Sequence, residues 1–390
     1  MKPKLFLALG LLLACISCKQ QNSDDSLLEF DVTASYPEKT MDIRDVADVE
    51  YKVLKSDTLY TMFLYLTDKY ILTINGPERS FQVFDRTGHC VTEIARYGNG
   101  PEDYMPGGKW FIDDAKDEVY ILSFPSKFQI YDAHRGDFKR TQKVFEDGKY
   151  DGLNFPFDGV SQWGEYMLFY DKSSTEYPYL LISRETGEQQ RIPMHLEKLV
   201  KTMGEKPYKD DMVAVLPSNH TYFTQSGENL YLTSPSTDTV YACTPDLHYT
   251  PYLVRKPSVL DMETPILLSG FIDTKDYAFF STEKMEFDFE TFEDNEKKNY
   301  VLDRKSGKFF ELSVENADYE GQEILLSPAG VLYEGMGSLR SANPRVGVIT
   351  LDSEELLEAD KAGKVKGKLK EALDELTDEP FVLMIMKMKP

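Results

Sequence analysis

The sequence predicts an all-β fold: a six-bladed β-propeller of four-stranded antiparallel blades, its N- and C-terminal strands closing the same blade, with a short helical insertion near the C-terminus. Three observations carry this prediction. From Tyr51 onward, short apolar runs alternate with polar positions and are broken by Gly, Pro, Asp and Asn, the period-two signal of half-buried strands. One hairpin recurs along the chain at blade-sized intervals. Two strand-like segments, one near each end, remain to pair with each other.

The clearest copy of the hairpin is Phe81-Gln82-Val83-Phe84-Asp85-Arg86-Thr87-Gly88, preceded by a strand over 70–74. The next is Phe128-Gln129-Ile130-Tyr131-Asp132-Ala133-His134-Arg135-Gly136, preceded by 119–122. More worn copies run over 179–183, 240–244, 300–303 and 346–349. Taking Asp85, Asp132, Ser183, Thr244, Asp303 and Asp352 as equivalent gives intervals of 47, 51, 61, 59 and 49 residues. These exceed the roughly 40 to 45 residues of a WD-type blade and suit four strands with generous loops. In such a hairpin Asp accepts backbone bonds and Gly supplies positive φ. The Asp residues are therefore assigned to turns and given no chemical role.

A radial array of sheets leaves one seam to close. The segments 49–54 and 381–386 are expected to share the terminal blade. Between them, about 353–378, the period turns helical: Leu356, Leu357, Ala359, Val365, Leu369, Ala372, Leu373 and Leu376 recur at helical spacing. Gly363 and Gly367 interrupt it, and lysines fill the polar face. The insertion is read as a solvated lid on the rim. Residues 41–390 are expected to form one domain.

The chain has 66 acidic and 44 basic residues among 390, a net charge of -22. That excludes a nucleic-acid binder resting on bulk charge. With 41% hydrophobic and 13% aromatic residues, the composition also excludes a disordered chain. Residues 1–17 read as a signal peptide, with Lys2 and Lys4 before an uncharged apolar run from Leu5 to Ala14. The run falls short of the roughly 20 residues a membrane-spanning helix needs. Ser17-Cys18 resembles the lipobox of bacterial lipoproteins, with Cys15 as a competing site. The resemblance implies cleavage before Cys18, several acyl chains (palmitate among them) on that residue, and attachment to a membrane. Cleavage leaves 42 basic against 66 acidic residues, a net -24. Residues 18–40 are then a flexible lipidated tether. Lys19 is similar to the residue after the anchor in outer-membrane lipoproteins. Ser23-Asp24-Asp25 is either a solvated tether or, by resemblance, a surface-export signal of Bacteroidota lipoproteins. Cys90 and Cys243 are read as free thiols.

The segment Arg96-Tyr97-Gly98-Asn99-Gly100-Pro101-Glu102-Asp103-Tyr104 resembles the G-x-G-P-x-E-Y/F loop of the six-bladed β-propeller lipoproteins of Bacteroidota. The Phe-x-Val-Phe-Asp-x-x-Gly hairpin before it and the closing strand after Pro380 are similar to that family too. Asp103 and the acidic stretch 283–296 depart from its pattern. The resemblance implies the fold and an anchored location at the outer membrane, on its periplasmic or cell-surface face. It supplies no established reaction, so no catalytic residue is carried over. Glu102 and Tyr104 either line a ligand cleft or make a structural link between blades.

Ser338 lacks the G-x-S-x-G context of a nucleophile elbow. His89, His134, His195, His220 and His248 show no ligand spacing, so no transition metal is expected. No linear motif supports calcium, although a propeller channel assembles carboxylates from separate blades. No Gly-rich loop opens a helix, so no nucleotide is expected. The stretch 286–296 alternates acids with aromatics and is read as an exposed hairpin. Trp110, Trp163, Tyr104, Tyr166, Tyr177 and Tyr179 suit either inter-blade core or stacking against a ligand. The functional expectation is a non-catalytic binding module with no cofactor, taking a carbohydrate, a peptide or an envelope-protein partner through Glu102, Tyr104, Trp110 and Trp163. The alternatives are a hydrolase or lyase with a cation in the central channel, and a structural subunit of an envelope complex.

Overall fold

The computed structural model describes residues 27–389 apart from 55–62, 77, 124–126, 145–156, 209–211, 219, 227, 292–294, 325–337, 342–344 and 375–380. The expected signal peptide and the lipidation residue Cys18 lie outside the described residues.

Six sheets follow one another along the chain. Blade 1 is Phe63–Leu66, Tyr70–Asn75, Ser80–Asp85 and Cys90–Ile94; blade 2 is Pro106–Asp113, Glu118–Ser123, Lys127–Asp132 and Phe138–Lys143. Blade 3 is Phe157–Trp163, Tyr166–Asp171, Tyr179–Ser183 and Gln189–Ile192; blade 4 is Phe223–Ser226, Asn229–Leu232, Thr239–Cys243 and Tyr249–Lys256. Blade 5 is Ile266–Asp273, Tyr277–Lys284, Lys297–Asp303 and Lys308–Glu315. In each of these five, neighbouring strands pair antiparallel in chain order. Blade 6 pairs Val346–Asp352 with Phe381–Met388, and that strand with Ala47–Val53, so that Met384 lies opposite Tyr51. The segments around 49–54 and 381–386 therefore share the closing blade, as the sequence predicts. Ser338–Ser341 runs parallel to Phe63–Leu66 and ties the end of the ring to its beginning a second time.

The burial pattern explains why the repeat is visible in sequence. Middle strands are covered on both faces by the neighbouring blades, so Glu118–Ser123 is buried at every position. Such strands read as continuous apolar runs instead of alternating ones. Outer strands face solvent on one side, and Phe138–Lys143 alternates half-buried with exposed.

The hairpin markers behave as turn residues. Asp85 accepts from the Thr87 and His89 amides at 2.8 and 3.1 Å, Asp132 from His134 and Arg135 at 3.0 Å, and Asp303 from Ser306 at 3.0 Å. Gly88 sits at φ +87°, and a Cβ there would lie 2.2 Å from the Val53 carbonyl oxygen. Only glycine meets both demands. The residue after the turn marker has a second task. The guanidinium of Arg86 donates to the Thr67 carbonyl at 3.1 Å, that of Arg184 to Gly164 at 2.6 Å and that of Arg304 to Thr274 at 3.1 Å. In blades 1, 3 and 5 this arginine pins the third-strand turn to the first-strand turn.

Two expectations need correction. The folded part begins before residue 41: Leu28–Asp31 adds parallel to the outer strand of blade 4, and Glu38–Asp42 parallel to that of blade 5. The helical turn α1, Ile43–Val46, then leads into blade 6. Residues 28–53 are thus a strap along the rim of three blades, not a tether. Phe30 is fully buried within about 5 Å of the rings of Tyr36, Phe280, Tyr300 and Phe309. The sixth marker, Asp352, is the other correction. Its strand stands one place further inside blade 6 than the marker strands of blades 1–5, because Ala47–Val53 takes the outermost place. Asp352 instead caps helix α2, Ser353–Lys361, accepting from the Glu355 amide at 3.0 Å.

Helix α2 and helix α3, Gly367–Leu373, are the expected insertion. Leu356, Ala359, Val365, Leu369 and Leu373 pack on blade 6 with Val49, Tyr51 and Met384. No helix among the described residues is long and apolar enough to cross a membrane. Cys90 is exposed and Cys243 buried, both as free thiols. Burial, then the charge of Asp246, pushes the Cys243 thiol up to about 11.

Candidate interaction surface

The loop that resembles the family motif is closed on itself and on blade 2. The Tyr104 amide donates to the Arg96 carbonyl at 3.0 Å, and the Gly98 amide to the Tyr104 carbonyl at 3.1 Å. Asp103 accepts from the Gly100 amide at 2.8 Å. A Cβ on Gly98 or Gly100 would lie 2.6 or 2.5 Å from that carboxylate, which is why both positions hold glycine. Gln129 of blade 2 donates to the carbonyls of Pro101 and Asp103 at 3.0 and 2.8 Å, and the Tyr131 hydroxyl donates to that of Glu102 at 2.7 Å. The loop is a clamp between blades 1 and 2.

The expected binding residues follow the same pattern. Tyr104 is fully buried, its hydroxyl 2.7 Å from the Ile94 carbonyl oxygen and 2.8 Å from that of Arg79. Burial comes first among the causes that push its phenol above the usual range. Trp110 is buried against Phe81, 5.6 Å between ring centroids, and Trp163 is buried in the core of blades 3 and 4. Glu102 is exposed and pairs with Arg96 at 2.9 Å. The four do not converge: three support the core, and the fourth lies on the clamp's surface. Tyr179 is also fully buried, and Tyr177 is exposed.

Polar side chains also bridge neighbouring blades. Asp113 of blade 2 meets Arg184 of blade 3, and Asp273 of blade 5 accepts from Tyr231 of blade 4 at 2.6 Å. In blade 2, burial alone would raise the Glu118 carboxyl. Hydrogen bonds from Arg140, Lys139 and Tyr120 outweigh it and hold the group at about 2. Among the described residues no group of three or more His, Cys, Asp or Glu side chains is placed to hold a metal ion. A cleft of about 800 Å³ opens at the seam of blades 6 and 1. Lys52, Arg86, Lys368 and Lys387 line it together with Asp48, Glu50, Asp68 and Glu371, so its walls select neither sign of charge.

The feature the sequence reading did not reach lies between blades 3 and 4. There Met203–Pro207 and Val213–Pro217 form a separate two-stranded antiparallel sheet, here termed the arm. One of its faces rests on the chain. Gly204 is buried under Phe287, with a Cβ there only 2.5 Å from the ring, and the Lys206 ammonium lies 5.9 Å from the centre of the Phe289 ring. Those aromatics belong to the acidic stretch 283–296, which leaves the blade 5 strand at Lys284 and is not an extended hairpin. Asp288 folds it into a turn by accepting from the Glu290 amide at 2.7 Å, and Phe287 packs beside buried Val259, Leu267 and Met285. The arm's other face is open. It carries Val213 and Val215, 55% and 46% exposed, while Tyr208 and Met212, paired just past the strand ends in phase with Lys206 and Ala214, are 63% and 55% exposed; these are four of the nine exposed large hydrophobic side chains among the described residues. The one sequence signal for the arm is length: the interval from Ser183 to Thr244 is 61 residues, the longest of the five.

Comparison with known proteins matches residues 60–387 to a family described as "Domain of unknown function (DUF4934)". A solved structure of a duf4221 family member from Bacteroides vulgatus is similar at 10% identity and a TM-score of 0.43, covering 88% of this chain and 97% of that one. A structural-genomics protein of unknown function from Bacteroides thetaiotaomicron is similar at 12% identity and TM-score 0.38, covering 87% and 77%. The WD40 domain of Neurospora crassa Pan2 is similar at 12% identity and TM-score 0.37, covering 75% and 82%. No curated protein matches the chain.

Proposed function

Starting from a chain that belongs to the DUF4934 family, we propose that it is a non-catalytic protein-binding module, held at the outer membrane of the cell envelope by lipid on Cys18, with the arm as its contact surface. The observation behind this reading is the gathering of Tyr208, Met212, Val213 and Val215, all exposed, on the arm. Contiguous exposed apolar surface on a folded protein marks an interaction site. A protein partner is favoured over a carbohydrate because Trp110 and Trp163, the natural stacking platforms for a sugar, are in the core. The enclosed ring suits a rigid carrier for such a surface.

The test uses the full chain in its envelope. Serine at 208, 212, 213 and 215 together is expected to abolish co-purification of a partner after surface crosslinking, while the unfolding midpoint stays unchanged. A partner retained by that variant sinks the reading. Cys18→Ala is expected to move the protein from the membrane to the soluble fraction, and continued membrane retention removes the anchor from the proposal.

A further inference from the structure

The arm's register and its exposed side chains together distinguish its two edges. The Tyr208 amide donates to the Met212 carbonyl at 2.7 Å, and the Ser218 amide to the Thr202 carbonyl at 2.8 Å. In an antiparallel pair, hydrogen-bonded and non-hydrogen-bonded positions alternate. The register therefore makes Lys206↔Ala214 and Gly204↔Leu216 the bonded pairs, and Pro207↔Val213, Glu205↔Val215 and Met203↔Pro217 the non-bonded ones. Residues of non-bonded pairs turn their N–H and C=O groups away from the partner strand. On each strand the outward row includes one proline without an N–H, Pro207 on the first and Pro217, opposite Met203, on the second. The outward N–H groups that remain are those of Met203 and Glu205 on the first strand and of Val213 and Val215 on the second, and it is on the second that both side chains are β-branched, apolar and exposed.

We infer that the Val213–Pro217 edge accepts an extended cationic segment of a partner protein, with apolar residues at alternate positions, as a third β-strand; this rests on the protein-binding reading above. An edge strand with free backbone groups is a template for strand addition, the ladder supplying affinity and alternate side chains supplying specificity. A two-stranded ribbon is also only marginally stable in water, so a third strand completes it. Alternate residues of the incoming strand lie on the same face as Val213 and Val215, which calls for apolar side chains there. The charge of the partner follows from the surroundings. Around the arm, Lys201 pairs with Glu205 and Lys284 with Glu286, which leaves the carboxylates of Asp288 and Glu290 against the single ammonium of Lys206. The chain as a whole carries -22. That field repels a second copy and draws in a basic segment.

The experiment measures binding of short synthetic peptides to the full chain by fluorescence anisotropy at about 0.15 M salt. One peptide alternates Lys and Val, one alternates Glu and Val, and one is the Lys/Val peptide N-methylated throughout. The Lys/Val peptide is expected to bind, and the other two at least about tenfold more weakly, about 1.4 kcal/mol. Val215→Pro, which removes one outward N–H and none of the arm's own bonds, is expected to weaken the Lys/Val peptide by the same factor. Val215→Thr, which keeps the N–H and the β-branched shape, leaves binding unchanged. Failure of the Lys/Val peptide to bind overturns the inference, as does equal binding of either control peptide or undiminished binding to Val215→Pro. Self-association of the chain that Val215→Pro removes would assign the edge to a second copy and overturn it too. Loss of the natural partner in the four-serine variant but not in Val215→Pro refutes strand addition alone, whereas retention in both refutes the binding reading itself.

Discussion

The loop at 95–104 and the arm at 203–217 reverse what their sequences advertise. The loop has a motif, two glycines, a proline, an acid and a tyrosine, and every one of these serves closure: the glycines make room for Asp103, the carbonyls of Pro101, Glu102 and Asp103 receive side chains from blade 2, and Tyr104 fills the core. The arm has no motif. Yet it is the arm that leaves apolar side chains in water and an edge strand unpaired with any third strand of its sheet. A motif marks demanding backbone geometry, and demanding geometry is as often structural as functional. Exposed apolar surface costs free energy in the isolated protein and so points more directly to a partner.

The comparison predicts a ladder of effects. The largest is at the loop: Tyr104→Ala empties a fully buried site and removes both carbonyl contacts, and should lower unfolding free energy by about 3–5 kcal/mol in denaturant titration. A change under about 1 kcal/mol would mean that the clamp does not hold blades 1 and 2 together. Next comes a buried carboxylate within blade 2. Glu118 is held at about 2 in the fold, below its ordinary value, so its contribution is present above about pH 4.5 and lost as pH falls toward 2. Wild type should lose roughly 2–3 kcal/mol more than Glu118→Gln between those limits. Parallel stability–pH curves for the two proteins would remove Glu118 from the closed ring. A smaller effect is expected for Gly100→Ala, about 1 kcal/mol, because the new Cβ displaces Asp103 from the Gly100 amide. The smallest belongs to the arm: Val213→Ser with Val215→Ser should stay within about 0.5 kcal/mol of wild type. A large loss there would show that the valines serve the fold.

The ring was legible because its middle strands are covered on both faces, so that segments such as Glu118–Ser123 and Tyr179–Ser183 read as unbroken apolar runs ending in a turn residue. The closing blade was legible for the same reason. The strap was not. Its strands Leu28–Asp31 and Glu38–Asp42 lie along outer edges and bury essentially Phe30 and Met41 alone, too few residues to show a period. Asp352 was misplaced because an Asp after an apolar strand suits a helix cap as well as a hairpin turn, and only the sheet order separates the two. Tyr104, Trp110 and Trp163 were identified as candidate binding residues because an aromatic residue in a loop or at a strand end looks alike in sequence whether it points to solvent or to the core. The arm offered only excess length between two markers, because its single exposed face and its Gly204–Phe287 contact depend on a segment some 80 residues further on.

The central claim is that the arm, and not the motif loop, meets the partner. The most direct measurement places a photo-crosslinking amino acid in the full chain at position 213 or at position 102, both exposed, and irradiates intact cells. The account predicts a discrete crosslinked protein from 213 that Val215→Pro removes, and none from 102. A discrete adduct from 102 with none from 213 would contradict it and return the binding site to the loop.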